Sequence, residues 1–537
     1  MKKWYVLLVQ VLFFLKPFAQ NVAKPPTAVL PAFKKDTFNI MRFNAVPDGK
    51  TLNTGYINAA IDACNKNGGG VVLVPAGLWL TGPIILKSNV NLHLNASATL
   101  LFTSDFNEYK LLKGDWEGLP QMRNQSPISA NNQTNIAITG DGIIDGNGDA
   151  WRAVKKDYVS PLQWKKLVAS GGVLSEDGTS WYPSEKSMKG AQMKNPGVIS
   201  SDKDSSFFEG IKDFLRPNLL VLMNCKRILL QGITFQNSPA WCLHPLLCED
   251  VTVKNISVKN PSYAQNGDGI DVESCKNVVI ENSVFDVGDD ALCMKSGRDA
   301  EGRKRNIPTE NINIEGCTIY AAHGGFVIGS EMSGGVKNIY VSNCTFIGTD
   351  IGLRFKTTRG RGGVVENIFI QNIYMKNIVA AAILFDMYYM INDSTPQLKP
   401  VDETTPQFKN FVIQNVYCNG AAQAVFIRGL PEMHIQNIAL QNMVLQSTKG
   451  IDVEEATGIN FKDVQVFSKE TNPVISIMQS DHVDFENFAY SPDAELLLKI
   501  NGERSNNIEI KKTDTSKAKE KIEFENNADR GSVTFIP

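Results

Sequence analysis

No two cysteines in this sequence are spaced as CxxC, and beyond its first fifteen residues no run is long and apolar enough to cross a bilayer. The first absence excludes a thioredoxin-like redox motif; the second excludes a membrane span in the mature chain. Net charge is nearly absent as well. Lys and Arg number 54 against 56 Asp and Glu, a formal charge of -2, which argues against general affinity for nucleic acid or anionic membrane. Recognition of a charged substrate must therefore be local. The triple glycine Gly68-Gly69-Gly70 is not a phosphate loop, because the strand-like VVLVP comes after it and not before. What the chain does have is 537 residues with 43% apolar content, ample for a large core.

The N-terminus reads as a signal peptide, residues 1–19. Lys2 and Lys3 give the basic start, Tyr5 to Leu15 the apolar stretch and Phe18-Ala19-Gln20 the cleavage region. The apolar stretch is too short to span a bilayer, and no cysteine follows it for lipidation. The expectation is an exported chain, periplasmic or secreted. Nine cysteines is an odd number for a disulfide framework, even where export permits one.

The dominant signal is a repeat. The pattern x-Asn-apolar-x-apolar-x-Asn-apolar-x-apolar reads KRILLQGITF from Lys226, EDVTVKNISV from Glu249 and KNVVIENSVF from Lys276. It continues as ENINIEGCTI, KNIYVSNCTF, ENIFIQNIYM, KNFVIQNVYC and QNIALQNMVL, and decays through TGINFKDVQV and DHVDFENFAY. Its first apolar positions are Ile228, Val251, Val278, Ile312, Ile339, Ile368, Phe411, Ile438, Ile459 and Val483, on average about 28 residues apart. No copy carries a leucine-rich or WD consensus. Each offers two short alternating strands that bury a face only by stacking on neighbours. The fold expected is all-β, a parallel β-helix, right-handed by the rule for parallel crossovers.

Stacking accounts for residues that otherwise look odd. Asn255, Asn282, Asn343, Asn372, Asn415 and Asn442 share one register and should form an amide ladder at a bend. Cys225, Cys248 and Cys275 share another, as do Cys317 and Cys344, and read better as a ladder of small apolar side chains than as disulfides. Ile57, Ala60, Ile61 and Cys64 follow helical spacing, so a helix ending at the triple glycine should cap the N-terminal opening. The division expected is a linker over 20–37, the β-helix over 38–504 and a charged tail over 505–537, with a last strand at 531–536. An insertion over 147–214, carrying Trp151, Trp164 and Trp181, should line a cleft.

Aligning the second half of each coil on its closing Ser or Thr brings acids together. Asp268 to Ser274 matches Asp290 to Ser296, Gly324 to Ser330 and Gly352 to Thr358. Asp268 and Asp290 then stack, Asp289 and His323 sit one position earlier, and Arg354 and Lys356 lie one coil on, two residues apart and so on one strand face. Stacked carboxylates about 5 Å apart repel and hold at least one proton, the condition for an acid beside an ionised pair in glycoside hydrolysis. Arg354 offers a fork for a carboxylate and Lys356 a point charge; with Arg359 and Arg361 they make a basic strip, RFKTTRGR, suited to an acidic sugar polymer. Turn chemistry alone explains a single Asp, and three together could hold Ca²⁺ as in a lyase, although the neighbouring cations work against it.

At these residues the sequence resembles family 28 of the glycoside hydrolases, the polygalacturonases. That family's ordered motifs Asn-Thr-Asp, Gly-Asp-Asp, Gly-His-Gly and Arg-Ile-Lys read here as Asn266-Gly267-Asp268, Gly288-Asp289-Asp290, Ala322-His323-Gly324 and Arg354-Phe355-Lys356. The resemblance spans roughly residues 38 to 490. It implies cleavage of α-1,4 galacturonosyl linkages in pectin by direct displacement with inversion, without metal or other cofactor, by a monomer. Asp289 would be the general acid, Asp268 and Asp290 would position and deprotonate water, and His323 would tune the acid. Arg354 and Lys356 would hold the galacturonate carboxylate, with Asn266, His244 and Tyr388 as further substrate contacts and Trp241 as a subsite residue. The long insertion is similar to the bulk that closes one cleft end in exo-acting members, and His323 favours a polygalacturonase over a rhamnogalacturonase. The departures at Gly267, Ala322 and Phe355 remove no reacting group. Other readings are a rhamnogalacturonan or xylogalacturonan hydrolase, a Ca²⁺-dependent pectate lyase and a non-catalytic polysaccharide-binding β-helix.

Overall fold

The computed structural model describes residues 25–391 and 397–537; the expected signal peptide and its cleavage site lie outside these. No helix of the described residues is long and apolar enough to cross a membrane. The chain winds into a right-handed parallel β-helix of two long parallel sheets, one of 24 strands and one of 14. The repeat copies form the larger sheet, and their first apolar residues pair coil to coil as the alignment requires: Ile228 with Val251, Val251 with Val278, Val278 with Ile312, and on to Ile459 with Val483. The ladder also runs past both ends, to Val90 and Ile136 on one side and Ile508 on the other.

Alternation sets the inside. On the 14-stranded sheet Leu243, Ile270, Leu292, Phe326, Leu353, Ile383 and Val425 stack in one row and are fully buried. Their neighbours in sequence point outward, so this sheet carries the polar groups. The bend asparagines explain how each coil turns. Asn255, Asn282, Asn343, Asn372, Asn415 and Asn442 all have φ between 47° and 56°, and Gly316 takes the same place at 66°. Asn tolerates this left-handed conformation because its short side chain bonds locally. Asn372 donates to Asn343 (3.0 Å), Asn415 to Asn372 (2.9 Å) and Asn442 to Asn415 (2.7 Å). A second ladder, from Asn277 through Asn311 and Asn338 to Asn367, runs alongside. All nine cysteines are buried and unpaired, the small apolar use of the residue.

The capping helix spans Thr54–Lys66 and buries Ile57, Ala60, Ile61 and Cys64. Two expectations change. The residues set apart as a tail continue the solenoid, with Asn506–Lys511 and Ala518–Glu525 pairing on the coil before, and Val533–Ile536 is the last strand expected at 531–536. The insertion packs partly on itself and partly on the chain before it: Trp181 is buried and donates to the Gly171 carbonyl, while Trp151 is buried against Phe106 and Tyr109. The element that reaches the polar face is instead a hairpin, Leu111–Trp116 with Leu119–Asn124, turned on Glu117 and Gly118, both with positive φ. The insertion buttresses it through Phe208 and Ile211, which with Leu215 just after it pack on Leu111 and Met122.

The ladder generates a test. Asn372→Ala loses one amide bond on each side and the side-chain amide that makes a positive φ tolerable, and should lower stability by about 1–3 kcal/mol in urea titration. Asn372→Gly should cost less, because only the hydrogen bonds go.

Candidate active site

The register places the acids. Ile270 pairs with Leu292, so Asp268 and Asp290 lie at matching positions of adjacent coils, and the Gly269 amide donates to the Asp290 carbonyl. His323 follows Asp289 in the same way, its amide bonded to the Asp289 carbonyl. One oxygen from each of Asp268, Asp289 and Asp290 falls within 4.8 Å of the others. The next coil differs by one residue from the sequence alignment. Gly324 pairs with Ile351, not Gly352, and Val327 with Arg354. The shift follows from alternation: it buries Leu353 and Phe355 and turns Arg354 and Lys356 out onto the acids, where a one-residue slip would do the reverse.

Each acid has its own surroundings. Asp290 is buried and gripped by both cations, Lys356 Nζ to Oδ2 at 2.7 Å and Arg354 Nη1 to Oδ1 at 3.1 Å. Burial pushes its pKa upward, but Lys356, Arg354 and Lys295 together outweigh burial and hold it well below the usual carboxylate range. Asp268 goes the other way. Burial, then Asp271, Asp289 and Asp290, raise it well above its ordinary value, and its Oδ1 has no partner among the described residues. Asp289 is the accessible one, with 22% of its side chain exposed against 2% for Asp290. Its Oδ1 accepts from the Asp290 amide (3.0 Å) and faces His323 Nδ1 (3.2 Å). The bond to Asp289 raises the His323 pKa.

Arg354 keeps capacity for a second acid. Only its Nη1 is engaged; Nε is buried without a partner among the described residues, and Nη2 is left for a second acid, beside the ring of Tyr389. Lys356 lies 4.8 Å from the same ring. The rest of the expected basic strip is neutralised: Arg359 pairs with Glu432 at 2.6 and 2.9 Å, and Arg361 with Asp299 at 2.5 Å. Asn266 lies at the site's edge, accepting from Arg216 at 3.0 Å. His244 is buried, with Nε2 on Glu273 and Nδ1 on Asn218, and is a floor residue and not a direct contact. Tyr388 is likewise buried, its ring under Arg428 and Arg359; the tyrosine facing the site is the next one, Tyr389.

The hairpin closes one end. Trp116 stacks on Trp241 (centroids 5.1 Å apart, planes at 21°), Arg123 covers Trp116 and Lys295 lies over Trp241. Lys295 bonds Glu331 (2.9 Å) and nears Asp271 (3.6 Å). Arg305 ties Asp115 of the hairpin (2.6 Å) to Glu273 of the floor (2.7 Å). Among the described residues, the insertion supplies no hydrogen bond or ion pair to the three acids. Two of the sequence's departures also find reasons: a side chain on Gly267 would meet Ala264, and Phe355 packs against Phe385 and Phe411 in the core.

A partly exposed carboxyl group beside two buried ones, on a parallel β-helix with cations adjoining, is the arrangement of a glycosidase. The description "Glycosyl hydrolases family 28" matches residues 152–447, more than half the chain, and "Rhamnogalacturonase A/epimerase, pectate lyase-like" matches 37–158. The chain is 28% identical over 419 residues to a probable polygalacturonase of Vitis vinifera, covering 76% of this chain and 74% of that one. It is 27% identical over 439 residues to an exo-poly-alpha-D-galacturonosidase of Dickeya chrysanthemi, covering 79% and 70%. Among solved structures it resembles an exopolygalacturonase from Thermotoga maritima, with 31% identity, a TM-score of 0.64 and coverage of 78% and 89%. The protein belongs to glycoside hydrolase family 28.

Removing the cation nearest Asp290 should free that carboxylate to take a proton. Lys356→Met should raise the Asp290 titration midpoint by roughly 1–3 units, followed by carboxyl-carbon NMR.

Proposed function

We propose that this protein is an exported exo-acting polygalacturonase that hydrolyses α-1,4 galacturonosyl linkages with inversion. The observation that carries the reading is the division of labour among three acids. Asp289 has its Oδ1 taken by two donors and its Oδ2 left toward solvent, where a proton can be held for the leaving oxygen. Asp268 and Asp290 form a buried pair, one oxygen each close enough to share a water. Asp290, kept ionised by Lys356 and Arg354, takes the water's proton, and Asp268 orients it. His323 fixes the plane of the acid. The unengaged Nη2 of Arg354 receives the galacturonate carboxylate, which also draws that arginine from Asp290 and strengthens the base.

The spacing calls for comment. Oxygens within 4.8 Å are closer than the roughly 6.5–9.5 Å usual between the two carboxyl groups of inverting glycosidases, and nearer to retaining ones. Inversion is proposed nonetheless, from the direct displacement that the resemblance to family 28 implies, with Asp268 and Asp290 close enough to hold one water between them. Exo-action is supported by the end wall. Trp116 and Trp241 stand across the polar face, so a chain entering from the other side stops with its terminal residue over the acids. A Ca²⁺-dependent lyase is disfavoured by the charge balance, since two of the ligands' lone-pair sites already face cations.

Trigalacturonate should yield reducing ends without unsaturated product, unaffected by chelator, and Asp289→Asn should slow turnover about 10²–10⁴-fold. Proton NMR should show the β-anomer first. An α-anomer first would mean retention, and unsaturated products lost with chelator would mean a lyase. On a longer oligomer, monomer should be the sole early product, while Trp116→Ala should release longer fragments as the wall opens.

A further inference from the structure

The two ends of the 14-stranded sheet are finished differently. Its first strand, Ile84–Ile85, has two residues and is covered: the Ile85 amide donates to Asn58 Oδ1 of the capping helix at 2.9 Å. Its last strand, Ala518–Glu525, has eight, as many as any strand of that sheet. Among the described residues it pairs only with Ala494–Asn501, so its outer edge offers a row of backbone donors and acceptors. Edges of this length are usually shortened, bulged or covered, because they template pairing with another chain.

The core also opens at this end. Leu498, Ile500 and Ile510 are buried, yet their partners one coil on, Ile522, Phe524 and Phe535, are only partly covered, with Phe535 39% exposed. A solenoid end of this kind needs a cover.

Charge says what the cover is. The strand reads AKEKIEFE, and alternation turns Lys519, Lys521, Glu523 and Glu525 outward. The two glutamates share one cation, Lys499, at 3.4 and 2.9 Å, while the two lysines have no ion-pair partner among the described residues. Laid antiparallel on a copy of itself with Ile522 on the two-fold axis, the strand sets Lys519 against Glu525 and Lys521 against Glu523, each twice by symmetry. Moving the axis to Lys521 or to Glu523 brings like charges together. The one mismatch is Glu520 opposite Phe524.

We infer that the chain forms a symmetric tail-to-tail dimer through Ala518–Glu525, in place of the monomer that the resemblance implies. The partner is a second copy because the match is of the strand to itself. The opposite end of the solenoid is capped by Thr54–Lys66, so the contact closes as a two-fold pair and does not propagate as a filament. Joined in this way, the two 14-stranded sheets become one, with both catalytic faces on the same side. The Asp290 strand lies eight coils from the edge, roughly 40 Å, which sets the two sites roughly 80 Å apart.

Sedimentation equilibrium on the full chain should show a dimer with a Kd of about 0.1–10 μM. Lys521→Glu sets glutamate against glutamate and should weaken the dimer at least about tenfold. Adding Glu523→Lys restores opposite charges across the axis and should bring the Kd back within about threefold. Circular dichroism reports whether either variant keeps its fold; should one not, Lys519→Glu with Glu525→Lys makes the same reversal one pair along. A monomer up to about 100 μM would mean that the charged edge only blocks pairing, and would overturn the inference. So would a dimer that Lys521→Glu leaves intact, or one that the paired reversal does not restore.

Discussion

Everything at the catalytic face depends on the vertical register of adjacent coils. Each coil lies about 4.8 Å above the last, so a residue's neighbours are set by the pairing of whole strands and not by the local chain. The register is held from two sides. Inside, the alternation that stacks Leu292, Phe326 and Leu353 leaves one face of each strand for the core. At the bends, asparagines with positive φ bond rung to rung and fix where each coil turns. Side chains more than sixty residues apart, such as Asp290 and Lys356, meet at 2.7 Å as a consequence.

The same register assembles an unusual amount of buried charge. Asp271, Glu273, Lys295 and Glu331 are all buried beneath the catalytic acids and the tryptophan wall. Buried ion pairs are poor stabilisers, because desolvation offsets their attraction. Their use here is positional. Lys295 joins the floor to Trp241, and Arg305 joins Glu273 to Asp115, so the hairpin that ends the cleft is tied to the strands that carry the acids. Cleft shape and catalytic electrostatics are thus parts of one network.

Much of this was legible before any coordinates. The repeat positions, the bend asparagines, the cap helix and the stacking of Asp268, Asp289, Asp290 and His323 follow from period and alternation, which stacking reproduces faithfully. The misses fall where period is silent. Aligning Thr358 as a closing residue displaced Arg354 by one, and only the burial of Leu353 and Phe355 corrects it. The strip of Arg359 and Arg361 looked free because Glu432 and Asp299 lie far off in sequence. Between Tyr388 and Tyr389 nothing in the sequence chooses. The hairpin was invisible because Glu117-Gly118 is a weaker turn signal than Asn-Gly, so the wall was assigned to the insertion behind it.

The most direct measurement is a crystal structure of the Asp289→Asn protein soaked with tetragalacturonate. The account predicts the scissile oxygen within hydrogen-bond distance of residue 289, a water shared by Asp268 and Asp290 on the opposite face of the sugar, and the terminal ring stopped at Trp116. A chain bound on another face of the solenoid, or one whose carboxylate avoids Arg354 with no water between the paired acids, would contradict it.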